Sequence, residues 1–394
     1  MSELEELIQD LCPNGVEYRK IEDIANISRG KVMSKDYLKY NAGEYPVYSS
    51  QTENDGKLGA ITTYMFDGEY LTWTTDGANA GTVFYRSGKF SVTNVCGVID
   101  NKSNDVDTKY LYYILNREAP HYVNSGMGNP KLMSNVMARI RLPIPPMEIQ
   151  REIVRILDNF TKLTAELTAE LTARQKQYEF YKQKLLDMQL NITKVKITDI
   201  ALVKARVGWQ RLTTSEYLQF GDYYLITGTD FTTGGTIDFS SAVYVSKERF
   251  DMDENIKVHK DDILITKDGT LGKVAILDKE PDKEATLNSG VFRIHITNKN
   301  VLPRYIFHFF TSKYFTDFVE SVKTGSTIPH LTQKGLLTLD IPIPPLETQR
   351  KLVDVLDNFE KICNDLNIGL PAEIEARQKQ YEYYRDKLLT FKEK

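Results

Sequence analysis

Cysteine is scarce: Cys12, Cys96 and Cys363 are the three in 394 residues. They are scattered, odd in number and without metal-ligand spacing, which argues against a disulfide framework or a zinc site and suits a reducing compartment. Long hydrophobic runs are missing as well. Apolar residues make up 41% of the chain, yet no uninterrupted stretch approaches the ~18 to 20 residues that a membrane span requires. The N-terminal SELEELIQDL is acidic and amphipathic, through Leu4, Leu7, Ile8 and Leu11, rather than basic and then apolar. No signal peptide and no membrane segment are expected, and the location expected is cytoplasmic.

An excess of positive charge is also absent. The net charge is −4; residues 1–146 carry 15 basic and 18 acidic side chains, and residues 191–345 carry 19 of each. A generic polyanion binder has a surplus of Lys and Arg, so any contact with nucleic acid must rest on locally arranged charge or on a partner that supplies basic surface. Catalytic motifs are missing too. His121, His259, His295, His308 and His330 show no paired spacing and read as packed or surface imidazoles. GTLGK, Gly269 to Lys273, fails the GxxxxGK[ST] spacing of a phosphate loop and has Val274 at the hydroxyl position, so it reads as a tight β-turn. There is no GxSxG, no HExxH, and no N/D-PP-F/Y tetrapeptide of the amino-methylating kind.

What the chain does contain is itself, twice. LPIPPMEIQREIVRILDNF, Leu142 to Phe160, matches IPIPPLETQRKLVDVLDNF, Ile341 to Phe359, at a constant offset of 199. ARQKQYE, within TAELTAELTARQKQYEFY, returns at Ala376 to Glu382 with an offset of 203, after four residues inserted within GLPAEIEA. IEDIA (Ile21 to Ala25) echoes in ITDIA (Ile197 to Ala201), TTDGANAG in TKDGTLG, and GNPKL in TIPHL. Such self-similarity marks a tandem duplication, each half a globular unit followed by a helix.

Periodicity identifies the helices. Ile149, Ile153, Ile156, Phe160, Leu163, Leu167, Leu171, Tyr178, Tyr181, Leu185 and Met188 fall three and four apart, one stripe sustained long enough for a coiled-coil seam. PIPP ahead of each helix ends the preceding strand and supplies proline to the first turn. The second helix should break near Gly369 and Pro371. TAEL, twice in succession, is slightly more than one turn; each unit lengthens the rod by about 6 Å and rotates the downstream residues by ~40°. The rod therefore reads as an adjustable spacer. The globular parts read as β-rich: PVYSS, GAITTYMF, EYLTWTT, TVFYRS and NVCGVID in the first, DYYLIT, FSSAVYVS, DILIT, KVAIL and VFRIHI in the second. Each closes with a helix, KYLYYILN from Lys109 and RYIFHFFTSKYF from Arg304.

Several expected loops combine basic, hydroxyl and glycine residues of the sort that reach phosphates and base edges. They contain Arg29, Lys31 and Lys35; Ser49, Ser50 and Gln51; Thr74, Thr75 and Asp76; Lys131; Lys204, Arg206, Trp209 and Arg211; Thr227 and Thr229; Lys267; and Lys323, Thr324 and Ser326. Ordinary solvated turns have the same composition, and it is the repeat that favours the binding reading.

The two PIPP-to-LDNF phrases, the two ARQKQYE phrases and the TAEL repeat together resemble the specificity subunits of Type I restriction-modification enzymes, over the whole chain. The resemblance implies an α+β chain in four parts. Residues 1–146 and 191–345 would be target-recognition domains, each reading one half of a bipartite site in double-stranded DNA. Residues 147–190 and 346–394 would be the conserved helices, packing as an antiparallel coiled coil. It implies a non-catalytic subunit with no cofactor of its own. S-adenosylmethionine would belong to modification subunits, two in number, and ATP and Mg to restriction subunits. The helices would dock the modification subunits, and the residues expected there are Gln150, Arg151, Arg174, Tyr178, Tyr181, Gln349, Arg350, Arg377, Tyr381 and Tyr384. The competing readings are an orphan DNA-recognition protein and a coiled-coil scaffold whose β-rich heads bind protein.

Overall fold

A computed structural model describes residues 3–126, 128–187, 192–208, 211–325, 329–365 and 368–394. The chain divides into two compact units, Met1–Glu166 with Glu375–Lys394, and Leu167–Ile374.

The first unit is built on a six-stranded sheet in the order Ala25–Arg29, Cys96–Asn101, Phe66–Thr74, Val83–Val92, Ala42–Tyr48, Lys57–Ile61. Neighbours are antiparallel except Ala42–Tyr48 against Val83–Val92. The GAITTYMF run is divided in two: Lys57–Ile61 ends one strand and Phe66 opens the next, because Thr62 bonds back to Asn41 while Met65 bonds to Phe90. Helix Thr108–Glu118 starts where the Asp107 carboxylate accepts from the amides of Lys109 and Tyr110. Its face of Tyr110, Leu111, Ile114 and Leu115 is buried in the same core as Trp73 and Ile99 of the sheet, and so are Ile149, Ile153 and Leu157 of the long helix. That helix runs unbroken from Met147 to Asp187. Residues Glu17–Lys20 and Arg141–Ile144 pair as a short antiparallel ribbon. The last residues fold onto it: Val16 and Lys394 each donate a backbone hydrogen bond, to Lys392 and Val16 respectively, and Leu389 is fully buried.

The second unit holds two four-stranded sheets. One runs Ala201–Ala205, Val291–Ile296, Ile263–Thr266, Val274–Ile276; the other runs Val243–Val245, Tyr223–Ile226, Glu284–Leu287, Lys257–Val258. Glu284–Leu287 lies between two neighbours, parallel to Tyr223–Ile226, and its Ala285, Thr286 and Leu287 are all buried, so it shows no alternating pattern to read. The closing helix expected from Arg304 is two helices, Pro303–Phe310 and Lys313–Val322. The break comes at Ser312, whose hydroxyl accepts from the Phe315 amide and caps the second. Lys194–Lys196 and Asp340–Pro342 form the ribbon equivalent to that of the first unit.

The second long helical region is Leu346–Asn364 followed by Leu370–Leu388. The break falls where expected, since a Cβ on Gly369 would stand 2.6 Å from the carbonyl oxygens of Lys361 and Asp365. Pro146 and Pro345 stand immediately before their helices rather than within the first turn. In the second unit Phe359 stacks between Tyr178, at 6.1 Å, and Tyr181, at 6.0 Å, and the two segments run antiparallel. In the first unit Phe160 stacks on Tyr384 at 5.5 Å.

Candidate nucleic-acid interface

In the first unit, loops from five places in the chain, four of them following the ends of sheet strands, are tied together. Lys31 bonds through its amide to Val92 and receives a bond from Asn94. Ser49 accepts a hydrogen bond from Thr93. Asn79 donates to Thr52 at 2.9 Å. Asn124 and Lys131 exchange backbone hydrogen bonds of 2.9 and 3.1 Å, and Leu132 donates to Thr75 at 3.0 Å. Thr74 accepts from the Thr82 amide and donates to the Asn79 carbonyl, closing the TTDGANAG turn. The Lys131 ammonium lies 3.8 Å from Asp76. Arg29, at the end of its strand, donates through Nε to Ser134 at 3.1 Å.

The second unit repeats the part of this frame around the Thr74 turn, Asp76 and Lys131. Thr324 and His330 exchange backbone hydrogen bonds of 2.9 and 2.8 Å, and Leu331 donates to Lys267 at 3.0 Å. Thr266 accepts from the Lys273 amide and donates to Thr270, so GTLGK is the tight turn its sequence suggests. His330 takes the place of Lys131 and hydrogen-bonds through Nδ1 to Asp268. Thr227 and Thr229 sit in a turn held by Asp230, whose carboxylate accepts from the Thr227 amide at 2.7 Å. Burial pushes the Asp230 carboxyl up from its ordinary value, against the pull of those hydrogen bonds.

The availability of the cations sorts the candidates. Among the described residues, Lys31, Lys35, Lys204, Arg211 and Lys267 form no ion pair, and each keeps solvent exposure. Lys323 pairs with Glu320. Ser50 and Gln51 are half-buried, and Gln51 donates to the Lys57 carbonyl. Three expectations are corrected. Arg206 is 2% exposed; it donates to the Leu287 carbonyl at 2.8 Å and to Thr286, so its charge is spent inside the fold. Thr74 and Thr75 are fully buried and hold the turn rather than face outward. Arg29 and Lys204 lie in strands, and Lys35 opens a short helix, so none of the three is a loop residue. Trp209 and Ser326 lie outside the described residues.

A family profile described as the Type I restriction modification DNA specificity domain matches this chain twice, over residues 13–174 and 190–376. A relative from Mycoplasma pneumoniae, named as a type I specificity subunit, is 33% identical over 379 residues, spanning 94% of this chain and 97% of its own. One from Haemophilus influenzae, named as a type I restriction enzyme specificity subunit, is 31% identical over 392 residues, spanning 95% and 96%. The crystal structure of the S subunit of a type I restriction-modification system from M. genitalium superposes with a TM-score of 0.58 at 14% identity, over 96% of this chain and 97% of that one. The chain belongs to the type I specificity-subunit family.

Seen as a specificity subunit, the chain divides its helix residues into two groups. Gln150 and Gln349 are corrected from partner-facing to internal: both are fully buried. Gln150 accepts from the Asp107 amide and donates to the carbonyls of Asp105 and Pro145, at 2.7–2.8 Å. Gln349 does the same with Leu302, Asn300 and Pro344, at 2.8–2.9 Å. Tyr178 is 7% exposed, packed on Leu356 and Cys363, and Tyr381 packs against the first core. Tyr181 is 38% exposed and Tyr384 half-buried, while Arg151 and Arg350 are exposed. Arg174 reaches Glu170 and Gln177, and Arg377 reaches Gln380. Absent from the expected docking residues are Phe180 and Tyr383, equivalent aromatics that are 61% and 63% exposed. Their signal is present: they are aromatic in both copies of the repeat yet lie off the apolar stripe, where a side chain cannot enter the seam.

His308, Asp357 and Glu360 offer ligand atoms within 4.8 Å of one another. The Arg304 guanidinium already bridges both carboxylates, at 2.8 and 2.6 Å, so a cation occupies the place a metal would need. All three cysteines are free and buried. No helix among the described residues is long and apolar enough to cross a membrane.

Proposed function

We propose that this chain is the non-catalytic DNA-recognition subunit of a type I restriction-modification complex acting in the cytoplasm. Residues 1–146 and 191–345 each read one half of a bipartite site in double-stranded DNA. Residues 147–190 and 346–394 set the spacing and dock two modification subunits, which bring S-adenosylmethionine; restriction subunits bring ATP and Mg. The observation that carries this reading is the loop frame built twice with different side chains on it, around Lys131 and around His330. A frame that is kept while its side chains change is what two related readers of different sequences require. Phe180 and Tyr383, exposed aromatics at equivalent positions of the two helices, fit the docking role.

Sequencing of modified adenines in cells carrying the modification subunit, with and without this chain, tests the reading. A bipartite methylated motif should appear only with the chain. Methylation that is absent in both, or identical in both, overturns the proposal and leaves an orphan or a scaffold. Inserting or deleting one TAEL should change the unspecified spacer by about one base pair and leave both half-sites as they were. Replacing residues 1–146 by another recognition domain should alter one half-site only.

A further inference from the structure

The shared frame singles out one residue in each unit. Lys131 and His330 occupy the same place in it: their backbones bond to Asn124 and Thr324, and their side chains face Asp76, as an ion pair at 3.8 Å, and Asp268, through a hydrogen bond at Nδ1. Both side chains remain about half exposed, 53% for Lys131 and 49% for His330. Each aspartate is followed by a glycine in the left-handed region, Gly77 at φ +105° and Gly269 at φ +72°, and a Cβ on either would meet nothing within 4 Å. The tip beside each pair is therefore open to a close approach. By contrast Arg206 is enclosed and Lys323 is engaged with Glu320.

We infer that Lys131 and His330 are the equivalent base-reading residues of the two half-sites, with Asp76 and Asp268 as their positioning residues. This rests on the reading that each unit recognises one half of a DNA site. The two side chains present different chemistry. A lysine ammonium carries three donors and no acceptor; with one turned to Asp76, the others suit the O6 and N7 acceptors of guanine in the major groove. An ionised carboxylate only accepts, so Asp268 fixes the proton of His330 on Nδ1. In the uncharged form of the ring, that tautomer leaves Nε2 as an acceptor, which suits the exocyclic amine of adenine or cytosine. The same frame thus asks for a guanine in one half-site and an amine-bearing base at the matching position of the other.

The test uses the full chain assembled with its modification subunits, selecting bound duplexes from a pool of random sequence. Wild type should select two constant blocks. Lys131→Ala should lower the preference for guanine at one position of one block by about tenfold, and leave the other block intact. His330→Lys should convert one position of the other block to guanine. Asp268→Asn, whose amide can either accept from Nδ1 or donate to it and so no longer fixes the tautomer, should broaden the preference at that same position, an effect that loss of stability alone would not produce. Unchanged blocks in the Lys131 and His330 variants overturn the inference while sparing the two-reader function, as does a loss spread over both blocks. A wild type that selects no bipartite sequence removes the function and the inference together.

Discussion

The two units attach their closing helix to the long helix by the same inner bonds and by different outer ones. Inside, Tyr110 and Tyr305 donate to Pro143 and Pro342, at 2.9 and 2.8 Å, and Gln150 and Gln349 each satisfy three backbone groups. Outside, Asp158 accepts from Lys109 and Tyr113, whereas the equivalent Asp357 accepts from Arg304 and His308, and Arg304 reaches on to Glu360. Backbone groups buried without a partner are costly at either joint, so the residues that satisfy them are held in common. Ion pairs at a partly solvated rim are worth less and have been free to diverge.

Removing the inner bonds should have the largest effect. Gln150→Ala and Gln349→Ala each strand two carbonyls and an amide, and each should cost about 3 kcal/mol or more in denaturant unfolding. A loss well under that in one variant alone would show that the joints are not equivalent. The outer shell should separate them. Arg304→Ala leaves two partly buried carboxylates without their cation and should cost about 2 kcal/mol. Lys109→Ala, at a joint whose charged groups are 43% and 39% exposed, should cost under about 1 kcal/mol. Equal losses would break the distinction.

Acid should separate the joints as well. Burial holds the His308 imidazole below its ordinary value, opposed by Asp357 and reinforced by Arg304 and Lys182. Its Nδ1 has no partner. The unfolded chain therefore takes up the proton first, so stability should fall as pH drops below about 6.5, with a slope of up to about 1.4 kcal/mol per pH unit. Glu360, raised by burial, contributes in the opposite sense at lower pH, which confines the clean window to the first part of the fall. His308→Tyr, which copies the first unit, should flatten the unfolding midpoint against pH across that window. A slope that persists in this variant would move the titration elsewhere. The smallest change is expected from Lys351→Ala, since the pair with Glu347 is 74% and 78% exposed; under about 0.5 kcal/mol is expected, and a larger loss would show that helix surface to be less simple than it looks.

Much of this plan can be read from the letters because its signals are local. The repeat, the strand runs, the helix break at Gly369 and the turn at Gly269 each depend on neighbours within a few positions. The misreadings share the opposite property. Arg206 looks like a loop cation until the Leu287 carbonyl, 81 residues away, is seen to receive it. Gln150 and Gln349 look like surface residues of an amphipathic helix, and only the loops ending at Asp107 and Leu302 explain their burial. Phe180 and Tyr383 needed the seam to be placed before their exposure could carry meaning.

The threonines of the long helix have one more consequence. Thr161, Thr164 and Thr172 each donate to the carbonyl four residues back, at 3.0 Å, and so complete a hydroxyl bond within the helix itself. A TAEL unit thus brings its own bonding with it. Four codons gained or lost in tandem during replication would keep the reading frame and leave no hydroxyl waiting for a partner elsewhere. A unit gained or lost in this way would need no new surface elsewhere in the fold to receive its hydroxyl.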